Sequence, residues 1–232
     1  MPGYATKDER IAIAGVDDLV IRSLLDRQQF SDRDGAAERL GISSAAWPLF
    51  GLLWPSGALL AARLGARPVT PGERILEIGC GLALASLVAH RRGADVTASD
   101  RHPLTAQFLA ENLRLNGLPP MKYLHGDWDA AALPEDLAAG PVADRFDLIV
   151  GSDLLYERDA SGALAGFVGR HAKASCVVWI VDPDRSNRPA FNRRMADAGF
   201  ERREERLDAE ATALGAAYKG RLLVYHRKLP AG

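Results

Sequence analysis

Two carboxylates and two glycines at set intervals carry the first chemical signal of this chain. Glu77 stands two residues before Gly79, Gly81 follows at the next alternate position, and Asp100 comes later at the end of a second apolar run. Glycine permits a positive φ and has no Cβ, so the backbone of such a loop can come close to a small molecule. A carboxylate at the end of the strand before it would repel a pyrophosphate and attract an ammonium or a sulfonium. Asp100, at the separation of roughly twenty residues expected of an acid that takes both ribose hydroxyls, adds a nucleoside to that description. The same aspartate could instead cap the helix that starts near Pro103.

Three ligand classes share the order strand, glycine loop, helix. A dinucleotide fingerprint calls for a third glycine three residues after the second, and that position is Leu84, which weakens NAD. A phosphate-binding P-loop needs Gly-Lys-Ser/Thr, and no lysine lies near this loop. The charge of Glu77 suits the third class, S-adenosylmethionine, with its ammonium and sulfonium.

Leu76-Glu-Ile-Gly-Cys-Gly81 with Asp100 resembles the class I, seven-β-strand S-adenosylmethionine-dependent methyltransferases over roughly residue 47 to the end. Leu53-Trp-Pro-Ser-Gly57 and Ser152-Asp-Leu-Leu-Tyr156 narrow the resemblance to the branch that holds protein-lysine methyltransferases and nicotinamide N-methyltransferase-like proteins. Within it, the chain is similar to the enzymes that methylate lysine in the electron-transfer flavoprotein β-subunit. The resemblance implies that Glu77, Gly79, Gly81, Asp100 and Ser152 surround the cofactor. It implies that Asp127 takes the adenine amino group, a donor that a carboxylate can accept, and that Trp128 presents its backbone N–H or indole to the adenine. Trp54 would wall the same pocket, although a tryptophan among Leu52, Leu53, Leu59 and Leu60 also reads as core. A turn aspartate followed by a packing tryptophan would equally give Asp127-Trp128.

Asp153 and Tyr156 are the candidates for the reaction itself. Phe146-Asp-Leu-Ile-Val-Gly-Ser-Asp153 reads as a strand ending in a polar cluster, at the edge where ligands of such sheets collect. Its Asp-x-x-Tyr resembles the motif lining the target-amine site in lysine methyltransferases. Methyl transfer from a sulfonium needs little covalent help, so the protein must position a neutral nucleophile and exclude water. Holding a lysine amine neutral at pH 7 costs roughly 4 to 5 kcal/mol from its reference pKa. Asp153 would orient the amine, and apolar walls with the sulfonium would favour its neutral form. Asp153 could instead cap the next helix with Tyr156 packed on it. Val181-Asp-Pro-Asp-Arg-Ser-Asn187 follows the next strand, so Asp182 and Arg185 fall on the same edge, in a string that is also ordinary turn chemistry.

The elements that must hold these residues alternate from Arg74 onward between short apolar runs and helical stretches, the pattern of a mostly parallel α/β sheet covered by helices. Strands are expected to begin at Ile75, Asp95, Lys122, Phe146, Cys176, Phe200 and Leu222, with helices over 82–92, 103–115, 161–171 and 189–198. The last two strands read as an antiparallel pair, because the alanine-rich connection between them is broken by Gly215 and is expected to be mobile. The expected fold is a Rossmann-like seven-stranded sheet with helices on both faces, residues 47–232, preceded by a hairpin and helical extension, residues 1–46. That hairpin is read from Arg10-Ile-Ala-Ile-Ala and Leu19-Val-Ile-Arg22 around Gly15-Val-Asp-Asp18. Residues 47–65 read as one or two buried helices broken at Pro55.

Composition narrows the partners. Lys plus Arg, 29, nearly cancels Asp plus Glu, 30, so no global field draws the chain to nucleic acid or an anionic membrane. Cys80 and Cys176 read as reduced thiols, the five histidines show no ligand spacing, and no metal is expected. The polar amino terminus lacks a signal-peptide core, and a cytoplasmic location is expected. The reading is an S-adenosylmethionine-dependent N-methyltransferase acting on a protein amine, most readily lysine, with S-adenosylhomocysteine as product. Small-molecule amine methylation, a non-catalytic binding scaffold and a dinucleotide oxidoreductase are the alternatives.

Overall fold

The computed structural model describes residues 3–129, 139–156, 158–209 and 217–227. The chain opens with an antiparallel hairpin, β1 (Thr6–Ile11) and β2 (Leu19–Leu24), then a short α1 (Ala36–Arg39), a 3-10 turn (Trp47–Gly51) and α2 (Pro55–Ala66). Then come β3 (Arg74–Ile78), α3 (Leu84–Arg91), β4 (Asp95–Asp100), α4 (Thr105–Leu115), β5 (Lys122–His125) and β6 (Phe146–Ser152). The remainder is α5 (Ala163–His171), β7 (Ala172–Asp182), α6 (Arg188–Asp197), β8 (Phe200–Ala209) and β9 (Tyr218–Arg227).

Seven strands form one sheet in the order β5-β4-β3-β6-β7-β9-β8. Pairings from β5 through β7 are parallel, and β9 is antiparallel to both its neighbours. The order reverses at β3, which pairs with β4 on one side and β6 on the other, and such a switch point opens a crevice beyond the carboxyl ends of the strands. Alternate residues of β3 separate the two cores. Ile75 packs with α2, α3, α4 and the hairpin, whereas Leu76 and Ile78 pack with α5 and α6. The terminal antiparallel pair is as expected; the 210–216 stretch of its connection lies outside the described residues.

Departures from expectation have local causes. β7 and β9 begin four residues early, at Ala172 and Tyr218, because their first turns alternate with exposed or half-buried polar residues that an apolar run does not reveal. β1 runs from Thr6 and stops at Ile11, so Ala12 and Ile13 leave the ladder. Pro55 initiates α2 at its first turn, where its missing N–H costs nothing. α3 starts at Leu84 because Ala83 is left-handed, φ 58°. α5 starts late because Asp159 accepts the N–H groups of Gly162, Ala163 and Leu164 at 2.7, 2.9 and 3.2 Å.

The hairpin is keyed to α4 by two asparagines one turn apart. Asn112 Oδ1 accepts Arg22 N–H at 2.7 Å, while Asn116 accepts from Val20 N–H at 2.9 Å and donates to Val20 O at 2.7 Å. Their spacing of four along the helix matches a spacing of two along the strand, so side-chain amides satisfy the outer backbone groups of β2.

Candidate active site

At the carboxyl edge of β3, β4, β6 and β7 lies a cavity of about 690 Å³, within the size range of small-molecule sites. Trp54, Glu77, Gly79, Gly81, Asp100, Asp127, Trp128, Ser152, Asp153 and Tyr156 all line it, although they come from five separate stretches of chain.

On one side, Glu77 ends β3 almost fully buried and accepts both the backbone N–H, at 2.8 Å, and the hydroxyl of Ser86 in α3. Burial pushes its carboxyl up to about 7, against the Ser86 hydrogen bonds and with help from the Asp100 charge. Asp100 is buried too: Oδ2 accepts Gly81 N–H at 2.9 Å and Oδ1 accepts His102 N–H at 2.8 Å, which leaves each oxygen acceptor capacity. Burial raises its pKa as well. The neighbours acting on Glu77 are Ser86 and Asp100, with no cation among them.

Gly79 and Gly81 have φ of 56° and 51°. Both line the cavity, and a Cβ at either would also meet protein atoms. At Gly79 a Cβ would fall 2.6 Å from Leu154 Cδ2, and at Gly81 it would fall 2.9 Å from the Phe50 carbonyl oxygen. The glycines therefore permit the left-handed turn and its close packing against protein. Trp128 lies over this loop, its Cζ2 3.7 Å from the position a Gly79 Cβ would take. Asp127 Oδ1 accepts Asp129 N–H at 3.1 Å, an ordinary turn bond, and Arg170 donates to Trp128 O at 3.1 Å. Trp54 is half-buried, donates its indole N–H to Leu49 O at 3.0 Å, and carries the Arg27 guanidinium over its ring at 5.3 Å.

Asp153, after β6, is also left-handed, φ 58°, and its N–H bonds Val181 O at 2.9 Å. It does not cap α5, a role filled by Asp159. Its Oδ1 accepts Arg185 Nη2 at 2.6 Å and Nε at 3.1 Å, and its Oδ2 accepts Ser56 Oγ at 3.1 Å. Ser56 is fully buried and shares a 3.0 Å hydrogen bond with Tyr218 Oη, whose pKa burial pushes up to about 12. Tyr156 stands at the rim, 43% exposed.

Of the third cluster, Arg185 reaches the cavity, while Asp182 is buried behind it and accepts Arg185 N–H at 2.9 Å. Ser56, Tyr218 and Arg27 join the site without having been singled out. Ser56 stood inside the quoted Trp54-Pro55-Ser56-Gly57, whereas Tyr218 and Arg27 carry no local signal. Cys80 and Cys176 are free thiols in the two different cores. His102 is buried against Phe50, stacked at 3.7 Å, and burial lowers its pKa to about 3, so it is a neutral ring.

Comparison with known proteins gives this architecture a family. The chain is 30% identical over 142 residues to the electron transfer flavoprotein beta subunit lysine methyltransferase of Danio rerio, covering 60% of this chain and 51% of that one. It is 32% identical over 113 residues to the human histone-arginine methyltransferase METTL23, covering 45% and 54%. For Danio rerio protein N-lysine methyltransferase METTL21A the values are 28% over 144 residues and 62% of each chain. The chain spans about half the length of the first of these curated relatives. Among solved structures, the fold matches the Thermus thermophilus 16S rRNA N2 G1207 methyltransferase RsmC with TM-score 0.58, 20% identity, and 98% of this chain against 52% of that one. It also matches the magnesium protoporphyrin IX methyltransferase of Synechocystis with TM-score 0.55, 18% identity, and 74% and 78% coverage. A family model described as lysine methyltransferase matches residues 51–196, from the end of the 3-10 turn almost to the end of α6. Since that stretch is more than half the chain and holds every cavity residue that the sequence had singled out, the protein belongs to the lysine methyltransferase family.

Proposed function

We propose that this protein is an S-adenosylmethionine-dependent methyltransferase whose acceptor is the side-chain amine of a protein lysine. The observation that carries the reading is that one cavity gathers buried Glu77 and Asp100, with Asp127, together with Asp153 and Tyr156. We assign the first three to a cofactor half and the last two to an acceptor half.

The residues of the first half fit the cofactor. A buried carboxylate is costly without a cation, and among the described residues those acting on Glu77 are Ser86 and Asp100, so a cationic ligand relieves the cost. The free lone pairs of Asp100 suit a ribose diol, and Asp127 suits an exocyclic amine. When bound, S-adenosylmethionine supplies a methyl group on a sulfonium that an amine takes by in-line displacement.

The chain's own contribution is orientation and exclusion of water. Trp54 and Trp128 wall the cavity, and the backbone and side-chain bonds of Asp153 fix its carboxylate in the acceptor half. Two relatives with lysine methyltransferase in their names support lysine as the acceptor.

Calorimetric titration with S-adenosylmethionine, S-adenosylhomocysteine and NAD tests the first half, with binding of the first two expected and binding of NAD alone overturning the reading. A labelled-methyl incubation with cell lysate, followed by hydrolysis, tests the second. Label in methyl-lysine is expected, and label confined to methyl-arginine or to small molecules overturns the acceptor assignment.

A further inference from the structure

We propose that Arg185 is a positioning residue that cancels the charge of Asp153 and so lets the acceptor half receive an uncharged amine. The inference rests on the reading of Asp153 as the acceptor-side carboxylate. A bare carboxylate there would hold an incoming lysine as its ammonium, which has no lone pair to attack with.

The geometry removes that difficulty. Arg185 grips Oδ1 of Asp153 through both Nε and Nη2, at 3.1 and 2.6 Å, and Ser56 donates to Oδ2 at 3.1 Å. The Asp153 side chain is 11% exposed and that of Arg185 36%, so the pair is open to the cavity from the arginine side. Arg185 is itself held from behind by the bond from its backbone N–H to Asp182.

Among the described residues, the acids that follow β7 have cations of their own. Asp182, pushed up to about 6 by burial, has Arg188 3.9 Å away. Tyr218 stays neutral, and Asp184 is bound by Arg188, Arg206 and Arg221. Arg27, Arg158, Arg193 and Arg194 also line the cavity, but at the Asp153 carboxylate itself the charge an amine meets is set by Asp153 with the Arg185 that grips it. An arriving ammonium gains little from this site, loses its proton to solvent, and keeps Asp153 and Tyr156 as neighbours for the neutral form.

The probe is n-butylamine labelled with ¹³C at C1, which is the lysine side chain without its backbone, observed by NMR from pH 6 to 10 in the presence of S-adenosylhomocysteine. Arg185→Gln is expected to bind it about ten-fold more tightly than the parent at pH 7 and to raise the titration of the bound amine by about one pH unit. Arg185→Lys should titrate as the parent does. Equal affinity and equal titration in the parent and Arg185→Gln overturn the proposal. If Arg185→Gln does not fold, Asp153→Asn gives the converse reading: weaker binding and a lowered titration are expected, and no change overturns it. Failure of the parent to bind S-adenosylhomocysteine defeats the functional reading instead, and the amine titration can still be read without the cofactor product.

Discussion

Asp100 and Gly81 are joined by a 2.9 Å hydrogen bond from the glycine N–H to the carboxylate, so the acid that closes β4 also fixes the loop that follows β3. Asp100→Ala removes that acceptor along with the His102 bond, and leaves two backbone donors unpaired. Loss of a charged acceptor costs about 1.5 to 3 kcal/mol per bond, so S-adenosylmethionine affinity should fall at least ~100-fold by calorimetry. Unchanged affinity would refute the ribose assignment.

Glu77 makes stability depend on pH in a direction opposite to that of a salt-bridged acid. Its carboxyl titrates at about 7 rather than 4.5, so between those values the folded chain holds a proton that the unfolded chain has lost. The contribution is complete below pH 4.5 and disappears as pH rises through 7, a change on the order of 3 kcal/mol. Urea unfolding of Glu77→Gln at pH 5 and pH 7.5 should show this slope flattened relative to the parent. The variant should also bind S-adenosylmethionine more weakly, because the carboxylate is gone.

Gly81→Ala tests the loop. A left-handed alanine is strained and its Cβ would meet the Phe50 carbonyl at 2.9 Å, a backbone atom that cannot rotate away. A loss of about 1 to 3 kcal/mol in stability is expected, with weakened cofactor binding. A thermal melt identical to the parent's would show that the loop relaxes freely.

Asp153→Ala should leave S-adenosylhomocysteine binding within about two-fold of the parent while abolishing methyl transfer, since the residue lies in the acceptor half. Ser56→Ala removes one of its anchors and should lower transfer less. Loss of cofactor binding in Asp153→Ala would dissolve the proposed division of the cavity.

The hairpin should loosen when its amides are removed. Asn112 is fully buried, and Asn112→Ala leaves Arg22 N–H without its 2.7 Å partner. Hydrogen exchange at Arg22 should accelerate, with a global loss of about 1 to 3 kcal/mol. Protection equal to the parent's would place the hairpin's stability wholly in Leu19, Ile21 and Leu24.

The sequence made visible those features whose cause is local. Strand onsets at Asp95, Lys122, Phe146 and Phe200 coincide with the apolar runs that create them, and the acids at strand ends mark the cavity edge. Pairings across the fold left no such trace. Arg185 and Asp153 are 32 residues apart and meet only because β6 and β7 are adjacent and parallel, which puts their carboxyl ends side by side. The packing role of the glycines was likewise hidden, since Leu154 and the Phe50 carbonyl arrive from elsewhere in the chain.

The reversed direction of β9 has a consequence for which end of a strand can serve the site. Parallel strands deliver only their last residues to the carboxyl edge, yet β9 delivers its first, Tyr218, beyond the Asp182 to Arg221 pairing. Run the other way, its ten residues at about 3.3 Å each would carry that phenol roughly 30 Å to the opposite rim. A single inversion of chain polarity thus links the last strand of the fold to Ser56 near its beginning, and through Ser56 to the carboxylate of Asp153.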